Sequence, residues 1–250
     1  MPPAPALFGT IAPSGNTVVE RTTAAMLRGL PGVASLTARV PVHGASDPFP
    51  DAHDLDGMLA AARLLAHARP ACVVWNGSKG GAIGLAHDRD LCARLSDATG
   101  LPADTSALRL ARLAGATGRR RVALLTPYAR GYQQRLAARL ASEGIEVVAE
   151  RHLGLTDNLS YASVPYATIL GLARHLAAEA RGRADAVLAW CTNLPAAPLA
   201  ATVEAETGLP LWDATALGVL AGLEGAGVAE RPVGWGSLFD GPAPGALRAT

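Results

Sequence analysis

Residues 185–198, DAVLAWCTNLPAAP, run from an apolar strand into a polar turn, and residues 71–84, ACVVWNGSKGGAIG, repeat this pattern in the first half of the chain. Cys191 and Gly77 occupy matching positions in the two segments and are 114 residues apart. Self-similarity at so long an interval indicates a duplicated unit rather than a solenoid, whose repeats are much shorter. The chain therefore carries a thiol at one predicted strand end and a glycine at the equivalent end.

A second pair of segments supports the same duplication. Residues 6–16, ALFGTIAPSGN, and residues 120–130, RRVALLTPYAR, are apolar strands interrupted by prolines that also lie 114 residues apart. Each half then contains a similar run, TGLPADTSAL at 99–108 and TGLPLWDATAL at 207–217. Short apolar strands alternate with Ala-, Leu- and Arg-rich helical stretches, a pattern typical of parallel sheets covered by helices on both faces. We predict an α/β fold of two pseudo-symmetric, doubly wound parallel-sheet lobes with the site in the cleft between them.

The predicted elements follow from these patterns. Strands are expected at 6–12, 33–40, 72–75, 121–125, 146–149 and 186–190. Helices are expected at 55–68, 133–142, 166–178 and 199–207. Gly144 and Gly208 are expected to end two of the helices. The first lobe is assigned to residues 1–117, completed by 221–250, and the second lobe to residues 118–220.

Composition limits the class of protein. The chain has 250 residues, of which 50% are hydrophobic and 4% aromatic, so Ala, Leu and Val must fill most of its core. The net charge is +1 with no basic stripe, which argues against a nucleic-acid partner. No apolar run approaches the ~20 residues of a membrane span, and the N-terminus lacks the basic segment of a signal peptide. Three widely spaced cysteines do not suggest a disulfide framework, so we expect a cytoplasmic protein.

Small and polar residues cluster where the predicted strands end. The segments are PSGNT (13–17), NGSKGG (76–81), TPY (126–128) and CTN (191–193). Ligands of such sheets bind beyond the carboxyl ends of the strands, where helix N-termini attract anions. We therefore predict a site for a small carboxylic acid. The glycine-rich loop matches neither GxxxxGKS/T nor GxGxxG, and the scattered histidines form no ligand motif, so no nucleotide or metal site is expected.

Cys191 is the candidate reactive group among the three cysteines. It lies at a strand end and is followed by the polar residues 192–193, near an expected helix start, where the acidity of a thiol can be increased. A cysteine in an apolar strand or helix is more often a packing residue, and that is the role expected of Cys72 and Cys92.

The segments GTIAPSGNT, TPY, LGLTDN, WCTNLP and GWGSLFD resemble the aspartate/glutamate racemase superfamily, and within it the maleate cis-trans isomerase and arylmalonate decarboxylase branch. The resemblance covers nearly the whole chain. It implies two pseudo-symmetric lobes and a cofactor-free site between them. Racemases and maleate isomerases of this kind carry one cysteine in each lobe, whereas arylmalonate decarboxylases keep only the second and have glycine at the first.

The chain matches the decarboxylase pattern at this position, because Gly77 stands where the first cysteine would be. A rival alignment places Trp75 there, and in either case no cysteine is present. Asn16 and Asn158 resemble the isomerases, whose asparagines hold substrate carboxylates, while Lys79 stands where the decarboxylases have a hydroxyl residue. The expected substrate-binding residues are Pro13, Ser14, Asn16, Gly77, Lys79, Asn158, Thr192 and Asn193.

The chemistry favours decarboxylation. Racemisation needs a base on each face of the carbon, and maleate isomerisation in the family starts from the cysteine that is missing. Loss of CO₂ from a malonate-type acid gives an enolate without a base, and needs only oxyanion donors and one acid. We expect Ser78, Tyr128 and backbone N–H groups near Gly77 and Thr192 to stabilise the enolate, and Cys191 to protonate it.

Other interpretations stay open. A one-cysteine isomerase or racemase of a small dicarboxylate or amino acid would use Lys79 in place of the missing group. A non-catalytic carboxylate-binding relative would keep only the fold. Tyr128 could simply cap a core edge, Lys79 could be a solvated side chain, and a homo-oligomeric assembly is compatible with the sequence. In the decarboxylase interpretation, Gly77→Cys is expected to introduce racemisation if the pocket tolerates the side chain.

Overall fold

The computed structural model describes residues 5–42 and 49–240, and its framework is a pair of parallel four-stranded sheets. The first sheet contains β1 (Ala6–Pro13), β2 (Val33–Val40), β3 (Val73–Trp75) and β4 (Ala103–Thr105), in the spatial order β2-β1-β3-β4. The second contains β5 (Arg121–Tyr128), β6 (Glu146–Leu155), β7 (Ala186–Ala189) and β8 (Leu211–Asp213), in the order β6-β5-β7-β8. The two orders are equivalent, so the prediction of two similar α/β units is confirmed.

Helices connect and cover the strands. Within the described residues they are α1 (Val19–Leu27), α2 (Leu55–Ala66), α3 (Gly80–Ile83), α4 (Leu85–Thr99), α5 (Ser106–Thr117), α6 (Arg130–Ser142), α7 (Asn158–Tyr161), α8 (Tyr166–Glu179), α9 (Ala200–Thr207) and α10 (Ala214–Gly225). Short 3₁₀ turns occupy Ala197–Leu199 and Ser237–Phe239. The last residues of β4 and β8, Thr105 and Asp213, accept backbone N–H groups of the helices that follow them. These side-chain caps make each strand turn directly into its helix.

All six predicted strands and all four predicted helices are present, and β4 and β8 are additional. Gly144 and Gly208 adopt left-handed backbone conformations at helix ends, with φ of +76° and +72°, as expected. Two strands run several residues farther than predicted, to Tyr128 in β5 and to Leu155 in β6. The extra residues carry both side chains to the carboxyl edge of the second sheet.

The strand register confirms the 114-residue relation. β1 pairs with β3 so that Ile11 lies beside Trp75, and β5 pairs with β7 so that Leu125 lies beside Ala189. Trp75 is therefore the equivalent of Ala189 inside the strand, and the rival alignment that equates it with the cysteine is wrong. Two residues farther along, Gly77 is the equivalent of Cys191.

α10 returns the chain from the second sheet to the first. It follows β8 and packs against α5, α1 and β3, and every residue from Ala214 to Leu223 is buried. The proposed lobe boundaries stay a prediction, and residues 1–4, 43–48 and 241–250 of the proposed first lobe lie outside the described residues. β7 is buried along its whole length, because helices cover both faces of the sheet. In the parts of the chain that the structure describes, no helix combines the length and the apolar character needed to cross a membrane.

Candidate active site

A cavity of about 330 Å³ lies at the carboxyl ends of the strands of both sheets. β1, β3 and β5 contribute their last residues, Pro13, Trp75 and Tyr128, and Cys191 follows the end of β7. Among the residues predicted for the site, those on the cavity wall are Pro13, Ser78, Lys79, Tyr128, Asn158, Cys191 and Thr192. The cavity thus lies where parallel sheets bind their ligands.

The three residues predicted to act in catalysis form one hydrogen-bonded chain across the cleft. Ser78 Oγ lies 2.8 Å from the Tyr128 hydroxyl, and the Tyr128 side chain is in turn hydrogen-bonded to Cys191. Trp190 donates from Nε1 to the carbonyl oxygen of Ser78 over 3.0 Å. The second sheet therefore positions the glycine-rich loop of the first, and the loop brings Ser78 against Tyr128.

Burial raises the pKa of the Cys191 thiol to about 11, and the residue is 3% exposed. Hydrogen bonds from Tyr128 and from backbone N–H groups, among them that of Asn193 at 3.4 Å, act in the opposite direction, and the charge of Asp213 adds to the rise. The prediction of increased thiol acidity is wrong, because the thiol is buried and α9 begins only at Ala200. At neutral pH Cys191 is a thiol, which suits a proton donor.

Tyr128 is also held in its neutral form. Burial is the main cause that raises its pKa well above the usual value, and the nearby Cys191 and Tyr132 raise it further. The ring packs between Tyr132 and Tyr161, with centroid distances of 4.5 and 5.5 Å. Its hydroxyl is thus held in place on the cavity wall by its aromatic neighbours and by Ser78.

Asp213 is a buried acid next to the site that the sequence patterns do not single out. It ends β8 beside Ala189 of β7, and its Oδ1 accepts the N–H of Ala216 at the start of α10 over 2.9 Å. Burial raises its pKa to about 7, although backbone N–H groups act in the opposite direction. The sequence signal was its place immediately before a helical run, which is typical of an N-cap.

Asn16 and Ser14 lie beside the cavity rather than on its wall. The side-chain Oδ1 of Asn16 accepts the N–H groups of Val18 and Val19 at 2.8 Å, and its Nδ2 donates to Thr192 Oγ1 over 3.1 Å. Ser14 is exposed, and its hydroxyl accepts the N–H of Val42. Both side chains hold loops in place, and Asn16 ties the two halves of the molecule together.

Asn193 makes a second connection between the halves. Its Oδ1 accepts the N–H of Thr17 at 2.9 Å, and its amide donates to the carbonyl oxygen of Asn158 at 2.5 Å. Asn158 itself lines the cavity, and its buried Nδ2 has no hydrogen-bond partner within the described residues. Gly77 is buried behind the wall. Of the predicted asparagines, Asn158 is the one placed to reach a ligand.

The rest of the wall is mostly aromatic and basic, and apart from Lys79 none of its residues was predicted as part of the site. Tyr132, Tyr161 and Trp75 form its apolar part. Arg135 and Lys79 are the charged groups on the wall, and within the described residues no carboxylate and no histidine lines the cavity. Nor does any part of the chain that the structure describes gather three metal-ligating side chains. The cavity is therefore suited to an anion that has an apolar or unsaturated body.

The comparisons with known proteins agree with this geometry. A family model for arylmalonate decarboxylase matches residues 52–239. The chain is 31% identical to arylmalonate decarboxylase of Bordetella bronchiseptica over 244 residues, which cover 93% of this chain and 96% of that relative. The chain belongs to the arylmalonate decarboxylase family. The resemblance to this branch of the aspartate/glutamate racemase superfamily is thereby confirmed.

Solved structures related to the arylmalonate decarboxylase family have the same fold. One is the liganded form of an arylmalonate decarboxylase variant in which a glycine is replaced by cysteine and a cysteine by serine. It matches with a TM-score of 0.83 and 28% identity, covering 95% of this chain and 99% of the other. The maleate isomerase Iso from Pseudomonas putida S16 matches with a TM-score of 0.85 and 25% identity, covering 94% and 98%. The two residues exchanged in the decarboxylase variant are 114 positions apart, which is also the separation of Gly77 and Cys191.

Proposed function

We propose that this protein decarboxylates a small malonate-type acid without a cofactor, and that Cys191 protonates the resulting enolate. The observation that carries the proposal is a buried thiol, with a pKa of about 11, on the wall of a cavity that no carboxylate lines within the described residues. Within the described residues, Cys191 is the one cysteine that lines this cavity, and no histidine and no carboxylate lines it. Such a site offers one thiol that can donate a proton, and no carboxylate or imidazole that could act as a resting base.

In the first step, the bond between the α-carbon and one carboxylate breaks, and CO₂ leaves. The electron pair stays on the organic fragment and is delocalised onto the oxygens of the remaining carboxyl group as an enediolate. Donors for these oxygens are the hydroxyls of Ser78 and Tyr128 and the N–H groups of Ser78 and Thr192. Both N–H groups make no backbone hydrogen bond within the described residues. Each oriented donor contributes roughly 3–4 kcal/mol to such a transition state.

In the second step, the S–H bond of Cys191 breaks and its proton goes to the α-carbon, leaving a thiolate. The enediolate is a far stronger base than a thiolate, so transfer is downhill even from a thiol with a pKa near 11. Tyr128 and the N–H of Asn193 then stabilise the thiolate until solvent reprotonates it. Because Cys191 delivers the proton from one wall of the cavity, we expect a single enantiomer of the product where the α-carbon is stereogenic.

The relatives support this proposal over the alternatives. The chain shares 31% identity with a protein named arylmalonate decarboxylase over nearly its full length. Its Gly77 and Cys191 have the same separation as a glycine and a cysteine exchanged in a solved decarboxylase variant. The aromatic wall suits an aryl or unsaturated substituent.

An isomerase or racemase of a small dicarboxylate is the second candidate, because a maleate isomerase matches with a TM-score of 0.85. In such an enzyme, Lys79 would have to replace the cysteine that is missing from the first lobe. Lys79 lines the cavity, and its ammonium donates to the carbonyl oxygen of Phe49. Solvent-deuterium uptake without CO₂ release would favour this candidate.

The deciding experiment is a screen of aryl- and alkylmalonates and small unsaturated diacids that records CO₂ release and deuterium uptake together. Cys191→Ala is expected to reduce decarboxylation by roughly 10²–10⁴-fold, because it removes the proton donor. Cys92→Ala is the matched control, since that thiol lies outside the cavity. Tight binding of the acids without turnover would instead indicate a non-catalytic carboxylate-binding protein.

Two further proposals concern the setting of the protein. The first is that the protein is cytoplasmic, which agrees with its three cysteines being free thiols; cell fractionation tests this location. The second is that the protein forms a homo-oligomer, which light scattering on the purified protein tests.

A further inference from the structure

Trp75 ends β3 and reaches the cavity wall next to Gly77. An ideal Cβ built on Gly77 would lie 2.2 Å from both Cε2 and Cζ2 of the indole, and 2.8 Å from Cη2. Carbon atoms that are not bonded to each other do not approach below about 3.5 Å without strong repulsion. The six-membered ring of Trp75 therefore occupies the space that any side chain at position 77 would need.

The backbone does not explain the glycine. Gly77 is absent from the residues with positive φ, so an L-amino acid could adopt its conformation. The equivalent position in the second half, Cys191, carries a side chain that reaches the cavity. The indole of Trp75 is thus what excludes a side chain at this position.

The indole is held firmly. Trp75 is 1% exposed and belongs to the apolar cluster that includes Ile11 and Leu91. The ring of His53 meets it edge to face at a centroid distance of 6.2 Å, and His53 is bonded to Asp88 over 2.7 Å. The indole Nε1 has no hydrogen-bond partner within the described residues, so packing alone sets its position. Rotation away from Gly77 would require this cluster to rearrange.

We propose that Trp75 is a specificity residue that makes the cleft one-sided: its indole replaces the side chain that would otherwise face the ligand from position 77. The inference rests on the proposed function and adds to it. An indole ring neither donates nor accepts a proton at the α-carbon, so the face opposite Cys191 stays inert. The same ring limits the size of the substituent that this part of the cavity admits. The racemising activity expected of Gly77→Cys therefore requires a smaller residue at position 75.

A double-mutant cycle tests the steric claim without reference to activity. Gly77→Ala alone is expected to lower Tm by roughly 5–10 °C, because the new Cβ overlaps the indole. In a Trp75→Leu background the same Gly77→Ala exchange should cost less than a third of that shift. Trp75→Phe, which removes the benzo ring but keeps an aromatic side chain, gives a second background. Equal Tm losses in all backgrounds would overturn the proposal, even if the protein proves to be no decarboxylase.

Substrate preference tests the functional part. Trp75→Leu is expected to raise the ratio of kcat/KM for naphthylmalonate over phenylmalonate by about tenfold or more. Trp212→Leu is the matched control, because Trp212 is also 1% exposed and does not line the cavity. It should lower Tm and leave the ratio unchanged. A ratio that stays constant in Trp75→Leu, or that moves equally in Trp212→Leu, would refute the role of Trp75 in specificity. Absence of turnover in every protein, the unmodified one included, would instead contradict the proposed decarboxylation.

Discussion

Replacing Asp213 with asparagine should stabilise the protein progressively, relative to the unmodified chain, as the pH rises. Burial raises the pKa of this carboxyl from 3.8 to about 7. The folded state therefore holds the proton more tightly than the unfolded state does. The stability that this proton contributes is fully present below pH 3.8 and is lost as the pH rises through 7. At 1.36 kcal/mol for each pKa unit, the loss amounts to about 4 kcal/mol.

Asparagine keeps the helix cap, because its carbonyl oxygen can accept the Ala216 N–H that Asp213 accepts now. The measurement is the free energy of unfolding in urea for both proteins between pH 4 and 8. The difference between them should grow by about 4 kcal/mol over that range. Asp54→Asn is the matched control, since Asp54 caps α2 through the N–H of Gly57. A difference that varies by less than about 1 kcal/mol with pH would refute the argument that burial raises the pKa of Asp213.

Three further outcomes are expected. Tyr128→Phe should reduce decarboxylation by roughly 10²–10³-fold while changing Tm little, because it removes the hydroxyl that lies 2.8 Å from Ser78 Oγ; unchanged kcat would exclude the hydroxyl from the reaction. Asn16→Ala should lower the free energy of unfolding by about 2 kcal/mol, because it leaves the N–H groups of Val18 and Val19, at the start of α1, without an acceptor. Ser14→Ala should have little effect in the same urea titration. Asp213→Asn should lower the pKa of Cys191, since a nearby negative charge is removed, and the pH profile of iodoacetamide alkylation should shift to lower pH; an unshifted profile would contradict this.

The duplicated pattern predicts most of the fold because two apolar strands, each with its following turn, recur after 114 residues. β4 and β8 escape this prediction for a physical reason. Each has only three residues, too few to display a periodicity, and each leads at once into a helix whose signal dominates the surrounding sequence. The similar TGLP runs before both strands mark their place without indicating a strand.

The sequence predicts those residues of the candidate site that lie at strand ends. Ser78, Tyr128 and Cys191 reach the cavity because each lies at the carboxyl end of a strand or immediately after it. Tyr161 and Arg135 come from helices, and their presence on the wall depends on how α6 and α7 cross the cleft. No local pattern contains that information. The prediction that Cys191 is unusually acidic is wrong for a similar reason. A polar neighbouring sequence does not show that the sulfur is buried, and burial raises the pKa of the thiol.

The raised pKa of Cys191 favours the proposed decarboxylation over reactions that start from a thiolate. With a pKa of about 11, roughly one thiol in 10⁴ is ionised at pH 7. A racemase or isomerase that starts with a thiolate would have to ionise this group first, at a cost of about 5 kcal/mol before any bond to the substrate changes. Decarboxylation avoids that cost, because the departure of CO₂ creates the base, and the resting thiol is already the acid that the base requires. The burial that weakens Cys191 as a nucleophile is therefore the property that fits it to protonate an enolate.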